Sequence, residues 1–128
     1  MSYCRWSCDN SKSDVYVYQS EDDSYSVNIR KHRYVIGEDA PAVIEYDGTN
    51  GAEAYASTLA YSRYLRDRPR IPIVQKYAGE TLYFDDIPST IVFLRQLQML
   101  NFHVPKQAFE RLEHDYEEER KAAAGKAT

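Results

Sequence analysis

The first part of the chain alternates apolar and polar residues, which is the pattern of a β-strand exposed on one side. Residues 14–18 place two valines on one face and Tyr16 and Tyr18 on the other. Residues 24–30 alternate in the same way after a short polar loop, so the two runs form a hairpin. Residues 33–36 supply a third strand. Together these runs predict an N-terminal three-stranded antiparallel meander.

Helical spacing replaces this alternation further along the chain. One helix is predicted from an Asn50 cap to about residue 67, one from Pro88 to about Leu100, and one from Pro105 to about residue 121. Asn101 tolerates the left-handed conformation that closes a helix. The fold class is therefore α+β, with the meander packed against about three helices. Two short β-like pieces within residues 70–86 are predicted to form either an edge hairpin or a loop.

Chain length favours one domain. The 128 residues match the commonest domain size, so residues 1–121 are assigned to a single α+β domain and residues 122–128 to a frayed C-terminal tail. No stretch approaches the roughly 18–20 apolar residues of a membrane span, and the first residues lack the apolar run of a secretory signal. We therefore expect no membrane association.

The charge distribution argues against nucleic acid as a partner. The formal net charge is −4, and basic residues outnumber acidic ones only in the middle segment, residues 49–78. Sequence-independent binding of nucleic acid depends on many phosphate contacts from Lys and Arg. Small anions remain compatible with the basic clusters at residues 30–33 and 63–70.

No constellation of catalytic or metal-binding residues stands out. Cys4 and Cys8 have a short spacing, but the three histidines that could complete a zinc site are scattered over different elements. The isolated glycines form no phosphate-binding loop. We therefore predict a protein that is not an enzyme and that carries no metal and no cofactor.

Aromatic and basic residues supply the candidate binding surface instead. The chain holds twelve tyrosines and a single tryptophan, and Tyr suits both half-buried sheets and interfaces. The predicted binding residues combine rings with nearby cations: Arg5, Trp6, Tyr16, Tyr18, Arg30, Lys31, Arg33, Tyr61 and Tyr64.

Several segments carry a resemblance to a known group of proteins. The opening Met-Ser-Tyr-Cys-Arg-Trp-Ser, the strand at 14–18, the segment Phe84-Asp-Asp-Ile-Pro88 and the Val104-Pro105 helix start resemble small uncharacterised bacteriophage proteins. Residues 37–80 do not share in it. The resemblance implies a protein made in the cytoplasm of an infected bacterial host, and it brings no catalytic residues.

Two functions follow as expectations. The first is a non-enzymatic phage accessory protein that binds a host bacterial protein, for example as an inhibitor of a defence system. The alternative is a binder that sequesters a small anionic nucleotide signal with Arg30, Lys31, Arg33 and stacking tyrosines. A homodimer through an open edge, either the strand ending at Tyr18 or the one ending at Ile36, is a further expectation.

Overall fold

The computed structural model describes residues 1–127, with side chains to residue 125. The strands are β1 (Ser2–Cys4), β2 (Val15–Gln19), β3 (Tyr25–Ile29), β4 (His32–Tyr34), β5 (Arg70–Pro72) and β6 (Thr81–Phe84). The helices are α1 (Cys8–Ser11), α2 (Gly51–Arg66), α3 (Ile87–Met99) and α4 (Lys106–Ala127). The α+β class predicted from the sequence is confirmed.

Two compact units divide the chain. Unit 1 consists of residues 1–31 and 73–128, and unit 2 is the intervening segment, His32–Pro72. The chain leaves unit 1 after Lys31 and returns at Ile73, whose N–H donates to the Lys31 carbonyl at 2.9 Å. Unit 2 is therefore an insertion whose two ends start from neighbouring points of unit 1.

Unit 1 is built on an antiparallel sheet in the order β1-β2-β3-β6. Its central hairpin pairs Val15 with Ile29 and Val17 with Val27, as the alternation of small β-branched residues predicts. The loop between β2 and β3 is closed by Asp22, whose carboxylate accepts from the Ser24 N–H at 3.1 Å. The hydrogen bonds from the Ser24 hydroxyl and N–H to this carboxylate hold the pKa of Asp22 below its usual range.

One face of this sheet forms the core with α3 and α4. Its buried side chains meet the apolar faces of the two helices in a single cluster that includes Tyr3, Val17, Val27, Leu94, Leu97 and Leu112. Two tyrosine hydroxyls within this layer reach carboxylates of α4: Tyr3 donates to Asp115 at 2.7 Å and Tyr25 to Glu119 at 3.4 Å. Burial and the neighbouring acids raise the pKa of both phenols, that of Tyr25 to about 12.

Both ends of α3 follow the cap chemistry of the sequence. Asp86 accepts from the Ser89 N–H at 2.8 Å at the N-terminus. At the C-terminus Asn101 adopts a φ of 68°, and the Phe102 N–H donates to the Leu97 carbonyl at 3.0 Å. The predicted left-handed closure at Asn101 is confirmed, and it turns the chain sharply from α3 into α4.

Unit 2 is held by rings and cations more than by an apolar core. Its strands β4 and β5 pair antiparallel, and α2 buries only Ala54 and Tyr61 among its own sixteen residues. The Tyr64 hydroxyl accepts from the Gly37 N–H at 3.0 Å and donates to Asp39 at 2.9 Å. The guanidinium of Arg68 lies over the Tyr64 ring and that of Arg70 over the Tyr34 ring, each 5.1 Å from the ring centroid.

The strand predicted at residues 33–36 differs from the structure. It is shorter, His32–Tyr34, and it pairs with β5 in unit 2 instead of extending the hairpin of β2 and β3. The position beside β3 is taken by β6, and that beside β2 by β1. Only Arg30 and Lys31 separate β3 from β4, and the chain leaves unit 1 at that point.

Two further expectations concern helix ends. Helix α2 begins where predicted, but the Asn50 side chain makes no cap hydrogen bond and instead accepts from the Asp47 N–H at 2.9 Å. Helix α4 extends to Ala127, and the part of the predicted tail at Thr128 lies outside the described residues. Within residues 1–127 the helices fall short of the length and apolar character that a membrane crossing demands.

Candidate binding surface

The second face of the four-stranded sheet carries aromatic and polar side chains. Because side chains alternate along a strand, the burial of Val15 and Val17 turns Tyr16 and Tyr18 to the opposite face. Cross-strand pairing extends this face through two rows, Tyr18–Ser26–Tyr83 and Tyr16–Asn28–Thr81. We call this surface the aromatic face and define it by these residues: Trp6, Tyr16, Tyr18, Ser26, Asn28 and Tyr83.

Trp6 joins the aromatic face through the turn that follows β1. The Cys8 N–H donates to the Arg5 carbonyl at 3.1 Å, which bends the chain there. The Trp6 ring then lies 5.8 Å from that of Tyr16, centroid to centroid, and Tyr16 meets Tyr18 edge-on at 6.0 Å. Such tilted and edge-on contacts suit the charge distribution of aromatic rings. Three of the nine predicted residues therefore form one contiguous aromatic group.

Arg30 adds a cation to this group. Its guanidinium carbon lies 5.6 Å from the Trp6 ring centroid, within the range of a cation–π contact. The same group donates from Nη1 to the Ser11 carbonyl at 3.3 Å. Arg30 is thus positioned by two contacts and reinforces the orientation of Trp6.

A shallow depression of about 390 Å³ lies beside the rings and is lined by Met1, Ser2, Trp6, Tyr16, Tyr18 and Asn28. Its polar groups are oriented by their neighbours. The hydroxyls of Ser2 and Tyr16 share a hydrogen bond at 3.3 Å, and the Asn28 amide accepts from the Thr81 hydroxyl at 2.7 Å. Ordered rings with ordered polar groups between them suit recognition of a partner that is partly apolar and partly polar.

Ser26 is the exceptional polar residue of the aromatic face. It is 1% exposed although it lies on the face of the sheet opposite α3 and α4. Its cross-strand neighbours are Tyr18 and Tyr83, whose large side chains shield it. Among the described side chains, its hydroxyl is the buried polar atom that lacks a hydrogen-bond partner. An unpaired hydroxyl of this kind weakens the fold slightly and is satisfied when a polar group reaches it.

The other predicted residues lie in several places. Arg5 is exposed next to Trp6, and the Lys31 side chain lies alongside the turn at Gly79. Arg33 belongs to β4 of unit 2. Tyr61 and Tyr64 also belong to unit 2, where Tyr61 is buried and Tyr64 is engaged by its hydrogen bonds. Their roles in binding stay predictions.

Sequence reasoning missed the polar residues Ser2, Ser26 and Asn28 and the aromatic residue Tyr83. A signal existed for Tyr83, since Thr81 and Tyr83 alternate with Leu82 and Phe84, and the apolar members face the core. Asn28 is one residue of a strand that was correctly predicted. For Ser2 no signal existed, because a three-residue strand is too short for its periodicity to be recognised.

A second concave region holds a histidine beside a carboxylate. It measures about 570 Å³, and in it the His103 Nε2 lies 2.7 Å from Asp9 Oδ2. Asp9 stands in a run of three left-handed residues, Asp9 to Ser11, with φ between 54° and 64°. The His103 N–H also donates to the buried carboxylate of Asp14 at 2.6 Å.

These contacts tie the turn at residues 9–11 to the loop that joins α3 and α4. The described lining of this second cavity includes no Ser, Thr or Cys that could act as a nucleophile next to His103. Cys8 is engaged nearby, since its sulfur accepts from Gln107 Nε2 at 2.9 Å and from the Arg5 N–H at 3.2 Å. In residues 1–127 no group of three or more metal-ligating side chains is assembled.

Comparisons with known proteins give no match: no protein-family model, no curated protein and no solved structure resembles the chain closely enough to be counted as similar.

Proposed function

We propose that this chain is a non-enzymatic binding protein whose aromatic face docks on a protein of a bacterial host. The observation that carries the proposal is the grouping of Trp6, Tyr16 and Tyr18, with Arg30 stacked on Trp6, on the sheet face opposite α3 and α4. Trp, Tyr and Arg are the residue types that dominate the binding energy of protein interfaces.

The shape of the surface favours a protein over a small molecule. Small-molecule sites are concave and enclose most of their ligand, whereas the depression here is shallow and its rings lie along β2 and on the turn that follows β1. The guanidinium of Arg30 at this surface is already held by Trp6 and by the Ser11 carbonyl. A nucleotide phosphate would have to bind a guanidinium whose Nη1 and ring-facing side these contacts already occupy.

The resemblance of both ends of the chain to small bacteriophage proteins supports the bacterial origin of the partner. We infer that the protein acts by occupying a surface of a host protein, and a defence or regulatory protein of the infected cell is the proposed target. The proposed place of action is the cytoplasm of the infected bacterium.

A capture experiment tests the proposal with a matched pair of variants. The face variant combines Trp6→Ala with Tyr16→Ala, and the control combines Val92→Ala with Met99→Ala on the exposed side of α3. Both remove two large side chains from unit 1, on opposite sides of the sheet; Trp6, Val92 and Met99 are exposed, and Tyr16 is half-buried. We expect the wild type and the control to retain one host protein in stoichiometric amount, and the face variant to lose it.

Two results would count against the proposal. Equal retention by the face variant would place the interface elsewhere, and absence of a stoichiometric host protein would remove it. A thermal-shift panel of cyclic and linear nucleotides separates the alternative: stabilisation by one nucleotide that disappears with Arg30→Ala would favour the small anionic ligand.

A further inference from the structure

Helix α2 has an exposed seam opposite the side that it buries. Ala54 and Tyr61 face inwards, and residues at the spacing i, i+3, i+4, i+7 face outwards. We call these residues the outer seam of α2, and except for the half-buried Leu59 all of them are exposed: Ala52, Tyr55, Ala56, Leu59, Arg63 and Arg66. The seam is apolar in its first half and basic in its second.

Rings and cations are paired elsewhere in unit 2 but not along this seam. Arg68 lies over Tyr64 and Arg70 over Tyr34, each at 5.1 Å. Tyr55 is 70% exposed, and within residues 1–127 the structure gives it no ring or cation contact. Arg63 and Arg66 likewise have no ion pair or ring partner in the described part of the chain.

The unmatched groups cannot meet within one molecule. Tyr55 and Arg63 are eight residues apart, which is about 12 Å along a helix axis. They do match in a second copy that runs antiparallel with Leu59 at the twofold axis. In that alignment Tyr55 faces Arg63 of the other copy, and Ala52 faces Arg66.

We propose that the outer seam of α2 pairs with the same seam of a second copy of this chain. The occupant is a second copy because the seam is self-complementary, which a twofold-symmetric interface requires. The helices cross at Leu59, and on either side of it the small Ala56 falls opposite the exposed Ser62, next to the seam, so the helices can pack at the usual interaxial distance of about 8–10 Å. The two antiparallel helix dipoles also attract each other.

The expected dimer is weak. Two helices of sixteen residues form a small interface, so we expect a dissociation constant on the order of tens of micromolar. Each cation–ring contact forms twice by symmetry. Changes at Tyr55 therefore act twice on the dimer and not at all on the monomer.

Sedimentation equilibrium with two opposite substitutions tests the proposal. Tyr55→Lys sets a cation against Arg63 at both ends of the seam, and we expect it to weaken the dimer about tenfold or more. Tyr55→Glu sets an anion there, and we expect it to keep or tighten the dimer at low salt. Tyr83→Lys, at an exposed tyrosine of unit 1, is the control and should leave the dimer unchanged.

Three results would overturn the proposal. The first is a wild-type chain that stays monomeric across a concentration range bracketing about 10–100 µM. The second is a dimer that Tyr55→Lys and Tyr55→Glu weaken equally. The third is a dimer sensitive to Tyr83→Lys alone, which would place the contact on the sheet instead of on α2. Circular dichroism checks that each variant is folded. We expect all three to fold because the substitutions are at exposed positions.

Discussion

Replacing Tyr3 with phenylalanine removes one hydroxyl from the contact between β1 and α4. Tyr3 is fully buried, and its hydroxyl donates to Asp115 at 2.7 Å. A hydrogen bond to a charged acceptor contributes about 1.5–3 kcal/mol. Asp115 is only half-buried, so water can solvate its carboxylate in the variant. We therefore expect Tyr3→Phe to lower the free energy of unfolding by an amount near the lower end of this range, about 1–2 kcal/mol.

Urea unfolding followed by circular dichroism measures this loss, and thermal unfolding should show a Tm lower by about 3–8 °C. Tyr83→Phe is the matched control, since it removes the same atom from a tyrosine that is 68% exposed, and it should stay within about 0.5 kcal/mol of the wild type. A double-mutant cycle with Asp115→Ala isolates the pair. If Tyr3→Phe were as stable as Tyr83→Phe, or if the cycle gave no coupling, the tie between sheet and α4 would be refuted.

Three further predictions concern the same unit. Burial raises the pKa of Cys4 to about 12 and, with Glu119, that of Tyr25 to about 12, so the folded state disfavours their ionised forms. The free energy of unfolding should be highest below the pKa values of these groups in the unfolded chain, about 9–10, and should fall as the pH rises towards 12. Urea titrations at several pH values measure it, and a free energy that does not change with pH would contradict the prediction. Leu97→Ala should cost about 2–5 kcal/mol because Leu97 is fully buried, and a loss below that of a surface substitution would deny its place in the core. Ser26→Ala should keep or raise stability by up to about 1 kcal/mol in the same assay, because it removes the unpaired hydroxyl, whereas a clear loss would mean that the hydroxyl is satisfied.

The sequence predicted the central hairpin because its alternation is long enough to define a face. Val15, Val17, Val27 and Ile29 lie where the period of two places them, and each is buried. The strands that flank this hairpin in the sheet, β1 and β6, could not be predicted in the same way. Strand β1 has three residues, and β6 joins the sheet from more than fifty residues away, so neither pairing has a local signal.

The difference between the predicted third strand and the structure, which begins at residue 32, has a similar origin. Residues 33–36 have the composition of a strand, but composition does not say which partner a strand will find. In the structure the chain leaves unit 1 at this point. Strand β4, at the start of unit 2, pairs with β5, at its end. This pairing and the backbone bond from the Ile73 N–H to the Lys31 carbonyl bring the two ends of the insertion together.

The candidate surface was predictable in part. Tyr16 and Tyr18 follow from alternation alone, because the valines between them are buried. The approach of Trp6 to Tyr16, and of Arg30 to Trp6, depends on the turn after β1 and on the end of β3. Residue type alone selected Tyr61, and the structure buries it inside unit 2.

Trp6 is the single tryptophan of the chain, so it can report directly on the aromatic face. Protein labelled with 5-fluorotryptophan gives one fluorine resonance, which can be followed by NMR while the host protein retained in the capture experiment is added. Docking on the aromatic face predicts that this resonance shifts or broadens and saturates at a fixed stoichiometry. Formation of the complex, verified by sedimentation, with an unchanged fluorine resonance would contradict it.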